Sequence, residues 1–352
     1  MTQKVFVGMS GGVDSSLSAA LLKEQGYAVV GVFMKNWTKD LPGFVCPWKE
    51  DYRDAKTVAV QLGIPFLVFD FETEYRQAVV DYMLAGYKQG LTPNPDIMCN
   101  QEIKFKLFLN TALAQGADMI ATGHYARTRQ GRLLKGLDDK KDQSYFLYRV
   151  SEAALARTLF PVGELTKDQV RAEAKKRNLV TASKRDSQGI CFVGEVGIKQ
   201  FLLNELGEQA PGPIVDQSGR EVGQHDGAIF YTIGQRHGLN VGGGLPYYVT
   251  HKDMTKNTVY VTTDINDAQL WSRQVELVNT WWINDPPIKS QAYQVKTRYR
   301  ADSVDCSVVT TDDTASATLG LKEEVRAVSP GQSAVIYDGD LVLGGGIIRK
   351  GE

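Results

Sequence analysis

The chain has 352 residues, enough for two or three domains, and its 43% apolar and 23% charged residues are the balance of an ordinary globular protein. With 40 basic and 41 acidic residues the net charge is −1, so a nucleic-acid partner must be met by local patches and not by a bulk positive field. No apolar run approaches the roughly 20 residues that cross a bilayer, and the start MTQKVFVGMSGG lacks the ordered regions of a signal peptide. A cytoplasmic location is expected, where Cys46, Cys99, Cys191 and Cys306 stay reduced and form no disulfide framework.

In chain order, Lys4–Met9 reads as a buried strand, Val13–Gln25 as a helix and Ala28–Met34 as a second strand. Lys35–Arg53 reads as a loop, Tyr52–Leu62 as a helix and Pro65–Phe69 as a third strand. Glu74–Gly86 and Glu102–Ala114 carry apolar residues at helical spacing, Met119–Thr122 resumes the sheet, and Thr166 opens a helix within Leu165–Asn178. That alternation argues an α/β fold, a parallel sheet covered by helices on both faces. From Pro211 turn residues separate short β-prone runs: Ala228–Ile233, Tyr247–Thr250 and Thr258–Val261. The strand candidates Val295–Arg300, Asp305–Thr310, Ser333–Tyr337 and Leu341–Leu343 follow, with Asp338-Gly339 as a hairpin signal. Residues 1–205 are thus expected to form a catalytic domain, 206–273 a small β-rich domain and 274–352 a β-barrel, the first able to fold and bind its ligand without the last.

The first strand runs into Gly8-Met9-Ser10-Gly11-Gly12-Val13-Asp14-Ser15-Ser16. A Gly-rich turn that opens a helix points backbone N–H groups and the positive end of the helix dipole at one spot, which suits phosphate. The loop carries no Lys after its second Gly and is not a Walker A sequence. It resembles, residue for residue, the SGG-x-DS loop of the PP-loop ATP pyrophosphatases. That resemblance implies an ATP site in which the loop holds the β- and γ-phosphates, with Gly8, Met9, Ser10, Gly11, Gly12, Val13, Asp14 and Ser15 as binding residues. Asp14 is a candidate to help hold Mg²⁺. Met34, at the end of the second strand, and Gly123, just past Met119–Thr122, reach the same sheet edge and complete the expected site.

Two further segments contain cysteines in polar turns. Thr92-Pro93-Asn94-Pro95-Asp96-Ile97-Met98-Cys99-Asn100 is a double-proline turn entering a helix, and a helix N-terminus favours thiolate at Cys99. Asp186-Ser187-Gln188-Gly189-Ile190-Cys191 places a thiol just downstream of Lys184 and Arg185, which act in the same direction. Packing as small apolar residues is the competing reading for both.

With the loop, TPNPDIMCNQEIKF, TGHYAR, DQSYFL, SQGICFVG and GQRHGL, the chain resembles the bacterial tRNA-specific 2-thiouridylase family over nearly its whole length. The resemblance implies that Mg-ATP adenylates O2 of the wobble uridine in the tRNA anticodon arm, and that Cys191 receives a persulfide from a sulfur-relay or cysteine desulfurase protein. Its outer sulfur, or sulfide released from it, then replaces AMP at C2. Cys99 helps to release the sulfur and ends in a disulfide with Cys191. Asp96 is the implied general acid/base, and Asn94-Pro95-Asp96 meets the extruded base. Lys141, Asp142, Gln143, Arg298, Tyr299 and Gln332 are the implied tRNA contacts, and His124 is a further tRNA-binding candidate or a structural histidine. Adenylation answers a chemical need, because an oxide-like group leaves poorly and AMP leaves readily. Bringing C2 to a thiol requires flipping the base, at a cost of a few kcal/mol.

On charge alone, Arg127, Arg129, Arg149, Lys184 and Arg236 are further RNA candidates or solvated surface charges. No resident metal is expected, although an Fe–S cluster on Cys99, Cys191 and Asp96 is an alternative. An amide-forming PP-loop ligase would need neither paired cysteines nor a β-barrel, and a bare RNA-binding module would not need Ser10, Asp14 and Ser15. Cys306 sits in an alternating strand and reads as packing.

Overall fold

The structure is a computed structural model that describes residues 2–42, 45–185, 197–239, 241–242, 244–289 and 291–349. Cys191 and its segment, residues 186–196, lie outside the described residues.

The strands of the first half are β1 (Lys4–Gly8), β2 (Ala28–Lys35), β3 (Phe66–Asp70), β4 (Met119–Ala121), the hairpin β5 (Ala126–Arg129) and β6 (Arg132–Lys135), and β7 (Thr158–Leu159). Five of them form a sheet in the order β3-β2-β1-β4-β7, with every pairing parallel. A strand covered on both faces must be apolar throughout, and β1 sends alternate residues into two cores. Val5 and Val7 pack with Leu17, Val170 and Ala174 on one side, while Phe6 packs with Phe105 and Phe108 on the other. The strand order reverses between β1 and β4, and their carboxyl ends flank the crevice where open parallel sheets take ligands. Both expected nucleotide segments are therefore neighbours.

Helix α1 (Val13–Glu24) begins directly after the Gly-rich turn. Helix α2 spans Trp48–Leu62, so the loop expected over Lys35–Arg53 ends early. Glu50 and Asp51 in its first turn complement the helix dipole, and Pro47 stands at its N-cap. The two helical runs farther along widen locally into π-helix, at Arg76–Asp81 and at Cys99–Leu107. The helix carrying Cys99 is continuous from Pro95 to Ala114 through that π segment.

The middle domain pairs β8 (Gly212–Val215), β9 (Glu221–His225), β10 (Tyr248–Asp253) and β11 (Thr258–Thr262) in the order β10-β11-β8-β9. The β-prone run Ala228–Ile233 is instead a 3₁₀ turn at Ala228–Phe230, where burial of Ile229 and Phe230 overrides strand propensity. The last domain contains β12 (Trp271–Trp282), β13 (Ala292–Lys296), β14 (Val304–Thr310), β15 (Ser316–Arg326), β16 (Ser333–Asp338) and β17 (Leu341–Ile348), closed into a barrel by β12–β17 pairing. Closure depends on Gly344-Gly345-Gly346. A Cβ on Gly344 would sit 2.0 Å from the Trp281 carbonyl oxygen, and one on Gly345 2.2 Å from that of Ala334. Strand β13 stops at Lys296 and not at Arg300, because the chain turns over Thr297–Arg300 with Arg300 at φ +64°.

The barrel is not an appendage. Hairpin β5–β6 extends its sheet, with Leu134 opposite Leu341 and the Lys135 N–H donating to the Asp340 carbonyl at 2.9 Å. The Tyr145 hydroxyl donates to the Ser333 carbonyl at 2.8 Å, and the Tyr148 hydroxyl lies 3.1 Å from Ser333 Oγ. Leu133, Tyr145 and Tyr148 share one apolar cluster with Val335, Tyr337 and Val342. This shared core argues against a first domain that folds alone. Among the described residues no helix is long and apolar enough to cross a membrane.

Candidate active site

The Gly-rich turn is braced from behind by its own serines and by neighbouring elements. Ser10 N–H donates to Ser15 Oγ at 3.2 Å, and Ser16 Oγ donates to the Gly12 carbonyl at 2.7 Å. Gly11 has φ +76°, and a Cβ there would lie 2.4 Å from the carbonyl oxygen of Asp51 on α2. A Cβ on Gly123 would lie 2.6 Å from the Ser15 nitrogen, and one on Gly8 2.9 Å from the Met34 methyl. Those three glycines let β4, β2 and α2 close around the loop. At Gly12, by contrast, an added Cβ would meet among the described residues only Ser10 Oγ, at 3.6 Å. Met9 is buried and its N–H donates to Val32, whereas Ser10 is exposed. A turn of exposed hydroxyl and backbone N–H groups at a helix N-terminus fits an anionic phosphate chain.

Asp14 projects from the first turn of α1 into an ion pair. Its two carboxylate oxygens accept from Lys167 Nζ at 2.8 and 2.9 Å, and Oδ1 also accepts from the Tyr125 hydroxyl at 2.7 Å. Lys167 comes from the first residue of the Lys167–Lys176 helix and is nearly buried. The sequence reading missed it, because 153 residues separate the partners.

In the first cysteine segment, Asn94 caps the Cys99 helix, its side-chain oxygen accepting from the N–H groups of Asp96 at 3.1 Å and Ile97 at 3.4 Å. Pro95 occupies the first helical turn, where its missing N–H costs nothing. Asp96 and Cys99 stand three residues apart on the first helical turns, and Cys99 is 4% exposed. Burial pushes the Asp96 carboxyl up, against the pull of the Lys104 ammonium. Lys104 then joins the two halves of the site, with Nζ 3.5 Å from His124 Nε2. His124 packs between Phe105 and Phe160, and Thr122 Oγ1 lies 2.6 Å from its Nδ1. Burial first, and the Lys104 charge second, hold this imidazole well below its ordinary value. It is neutral at pH 7. Because an ammonium can only donate, Nε2 accepts and Nδ1 carries the proton toward Thr122.

The expected RNA residues divide into inward and outward groups. Asp142 is buried, accepting from the N–H groups of Gly136 (2.9 Å) and Ser144 (3.1 Å) and from Ser144 Oγ (3.0 Å). Gln143 accepts from the Tyr125 N–H at 2.9 Å, and Lys141 lies partly exposed beside them. Tyr299 packs its ring on Phe146 with centroids 4.3 Å apart. Arg298 is exposed while donating to the Arg326 and Ala327 carbonyls at 3.1 and 2.8 Å. Gln332 Nε2 donates to the Thr92 carbonyl at 2.7 Å, and the Thr92 N–H donates to the Pro330 carbonyl at 2.8 Å. The barrel thus grips the turn that leads to Asp96 and Cys99. Of the cations chosen on charge alone, Arg127 pairs with Asp340 at 2.7 Å, Arg149 donates to Gln101 and to the Asn279 carbonyl, and Lys184 holds Asp51 and Asp54. Arg129 and Arg236 are exposed. Cys46 and Cys306 are buried, and burial pushes both thiols up, Cys306 to about 12. Among the described residues no three His, Cys, Asp or Glu side chains are grouped to hold a metal ion.

Comparison with known proteins bears on this arrangement. Family models described as a tRNA methyl transferase HUP domain, a tRNA methyl transferase PRC-barrel domain and an aminomethyltransferase beta-barrel domain match residues 3–195, 199–263 and 272–348. The chain is 48% identical to the tRNA-specific 2-thiouridylase MnmA of Enterococcus faecalis, over 99% of its own length and 95% of that protein. It is 47% identical to the protein of the same name from Bacillus subtilis, over 98% and 94%. The chain belongs to the tRNA-specific 2-thiouridylase family.

For a member of this family, two more residues at the site escaped the sequence reading. Lys104 is one lysine among several on a helical run, and only the fold brings it to His124. Asn100, next to Cys99, donates to the Phe146 carbonyl at 3.1 Å, while its Oδ1 is buried with no hydrogen-bond partner among the described residues. A polar residue mid-helix gave no signal beyond its place in the motif.

Proposed function

We propose that this enzyme places sulfur on C2 of the wobble uridine of tRNA at the expense of ATP. The observation that carries the reading is the near-full-length identity of 48% to a protein named as a tRNA-specific 2-thiouridylase. The cradle of Gly11, Gly12 and Gly123 supports it on the nucleotide side, where the triphosphate of Mg-ATP would lie against the loop N–H groups, with Met34 toward the adenine. Mg²⁺ would accompany the phosphates near Asp14.

The uridine O2 attacks the α-phosphate, pyrophosphate leaves, and C2 becomes open to displacement. Cys191 carries a persulfide delivered by a sulfur-relay or cysteine desulfurase protein. The Cys99 thiol attacks the inner sulfur of Cys191, forming the disulfide and releasing hydrosulfide, so that two thiol-level electrons reduce the sulfane sulfur. Hydrosulfide adds to C2 and AMP departs with the former O2. Asp96, its carboxyl pushed up by burial, exchanges the proton with the base. Asn94 and Pro95 shape the pocket edge, and the neutral His124 offers hydrogen bonds without adding charge. Lys141, Gln143, Arg298 and Tyr299 line the approach of the anticodon arm, with the buried Asp142 fixing the 136–144 loop. The reaction runs in the cytoplasm, where tRNA and reduced thiols are present.

The test is direct. Enzyme, ATP, Mg²⁺, a sulfur donor and unmodified tRNA are incubated, and the digested nucleosides are read by mass. A 2-thiouridine product that requires ATP is expected; ATP-dependent ligation of a small acid with no thiolated nucleoside would overturn the reading.

A further inference from the structure

The Gly-rich turn and the first turn of α1, residues 8–16, have hydroxyls, backbone N–H groups and one carboxylate, but no cation of their own. A triphosphate carries up to four negative charges, and Asp14 adds one more. The structure brings a cation from elsewhere. Lys167 Nζ sits 2.8 and 2.9 Å from the Asp14 carboxylate oxygens and 5.6 Å from the centre of the Tyr125 ring. Its side chain is only 11% exposed.

The placement is unfavourable for the helix that bears it. Lys167 is the first residue of the Lys167–Lys176 helix, after a Thr166–Gln169 capping box, and its own N–H donates to Asp138 Oδ2 at 2.9 Å. A cation at that end opposes the helix dipole, and a buried ammonium must recover its lost hydration from partners. Helix stability alone would place an acid or a neutral residue there. What the position provides instead is a flexible four-carbon stem ending in an ammonium on Asp14, in the first turn of the helix that the Gly-rich turn opens.

We propose that Lys167 is the triphosphate-binding cation of this site, held on Asp14 until nucleotide arrives and then shared with the phosphate chain. The proposal rests on the ATP reading above and names a residue that reading does not contain. The ammonium supplies from another helix what a Walker loop carries within itself. Tyr125, its hydroxyl on Asp14 and its ring beneath Lys167, fixes the two groups against each other.

The competing role is a plain staple between α1 and the Lys167–Lys176 helix, and nucleotide binding separates the two. Equilibrium affinities for Mg-ATP and for AMP are measured on the full chain, for wild type, Lys167→Met, Lys167→Arg and Asp14→Asn/Lys167→Met. The double variant leaves no unpaired buried charge and keeps the experiment informative if Lys167→Met does not fold. Loss of one charge-assisted hydrogen bond predicts that Lys167→Met binds ATP about 10- to 100-fold more weakly while AMP affinity stays within about twofold. Lys167→Arg should keep most of the preference for ATP, and the double variant should lose it. Equal weakening toward ATP and AMP, or an unchanged ratio in the double variant, overturns the proposal in favour of the staple. A wild type that does not prefer ATP over AMP removes the nucleotide reading and this proposal together, whereas a preference that survives in every variant removes Lys167 alone.

Discussion

The two sides of the crevice are built in opposite ways. The nucleotide side is one contiguous turn, residues 8–15, closed by the ends of adjacent parallel strands. The thiol side is a short helix start held by distant chain: Thr92 by Gln332, Arg149 by the Asn279 carbonyl, and Tyr145 by Ser333. The phosphate donors are backbone N–H groups in one fixed turn, which a few residues encode, and only the cation proposed above, Lys167, comes from another helix. The proposed meeting of a thiol with a flipped base and a second thiol would need a rigid support, and the contacts to Thr92, Arg149 and Tyr145 come from the barrel. Local chemistry travels with a motif, while positioning belongs to the whole fold.

Deleting residues 274–352 is the harshest test of that contrast. It would strip the cover from Tyr145, Tyr148 and Leu133 and leave β6 an exposed edge. Burying large side chains contributes about 1.5–3 kcal/mol each, so losing several of these contacts is comparable to the whole stability of a domain, about 5–15 kcal/mol. The truncated chain should aggregate or melt far below the full chain in calorimetry. A soluble, cooperatively folding fragment would show that the barrel is an accessory.

Asp14→Ala should come next. AMP formation is expected to vanish while tRNA affinity, read by gel shift, remains almost intact, because the loop acts on phosphates and not on RNA. Lost tRNA binding with normal ATP turnover would reverse the assignment of the two sides.

Gln332→Ala removes one hydrogen bond to Thr92, worth about 0.5–1.5 kcal/mol. If the barrel positions the Asp96 turn, turnover should fall several-fold with tRNA affinity little changed. A loss confined to affinity would make Gln332 an RNA contact only.

The smallest effect on stability lies at Asp96. Burial raises its carboxyl above the ordinary 3.8, so the native state holds the proton more tightly than the unfolded chain does. Stability from this group is therefore lost as pH rises from about 3.8 through the folded value, and the penalty is complete above it. Asp96→Asn should melt higher than wild type at neutral pH, lose that advantage below about pH 3.8, and thiolate poorly. Equal melting temperatures at every pH would show that the carboxylate is well solvated.

Much of this was legible in the sequence for physical reasons that can be named. Strand–loop–helix order follows from apolar runs punctuated by glycine, and the SGGVDS turn is a local object. The Thr166 cap and the Asp338-Gly339 hairpin are likewise written in adjacent residues. Lys167 and Lys104 were not legible, since each acquires meaning only by meeting a partner brought by the fold. The π turns at Cys99–Leu107 were hidden because apolar spacing cannot separate a widened helix from a regular one. Hairpin β5–β6 escaped because Ala126–Lys135 reads as a polar, charged loop until the barrel supplies its neighbour.

The central claim is that sulfur passes through two thiols with different tasks. The direct measurement is transfer of radiolabelled sulfur from the protein donor to wild type, Cys99→Ser and Cys191→Ser, followed by the label in tRNA. Cys191→Ser should take no label, Cys99→Ser should take label but pass little to tRNA, and the oxidised wild type should contain a Cys99–Cys191 disulfide, which requires Cα atoms within about 7 Å. Label trapped on Cys99 with Cys191 unmodified, or normal thiolation by Cys191→Ser with the protein donor, would contradict the account.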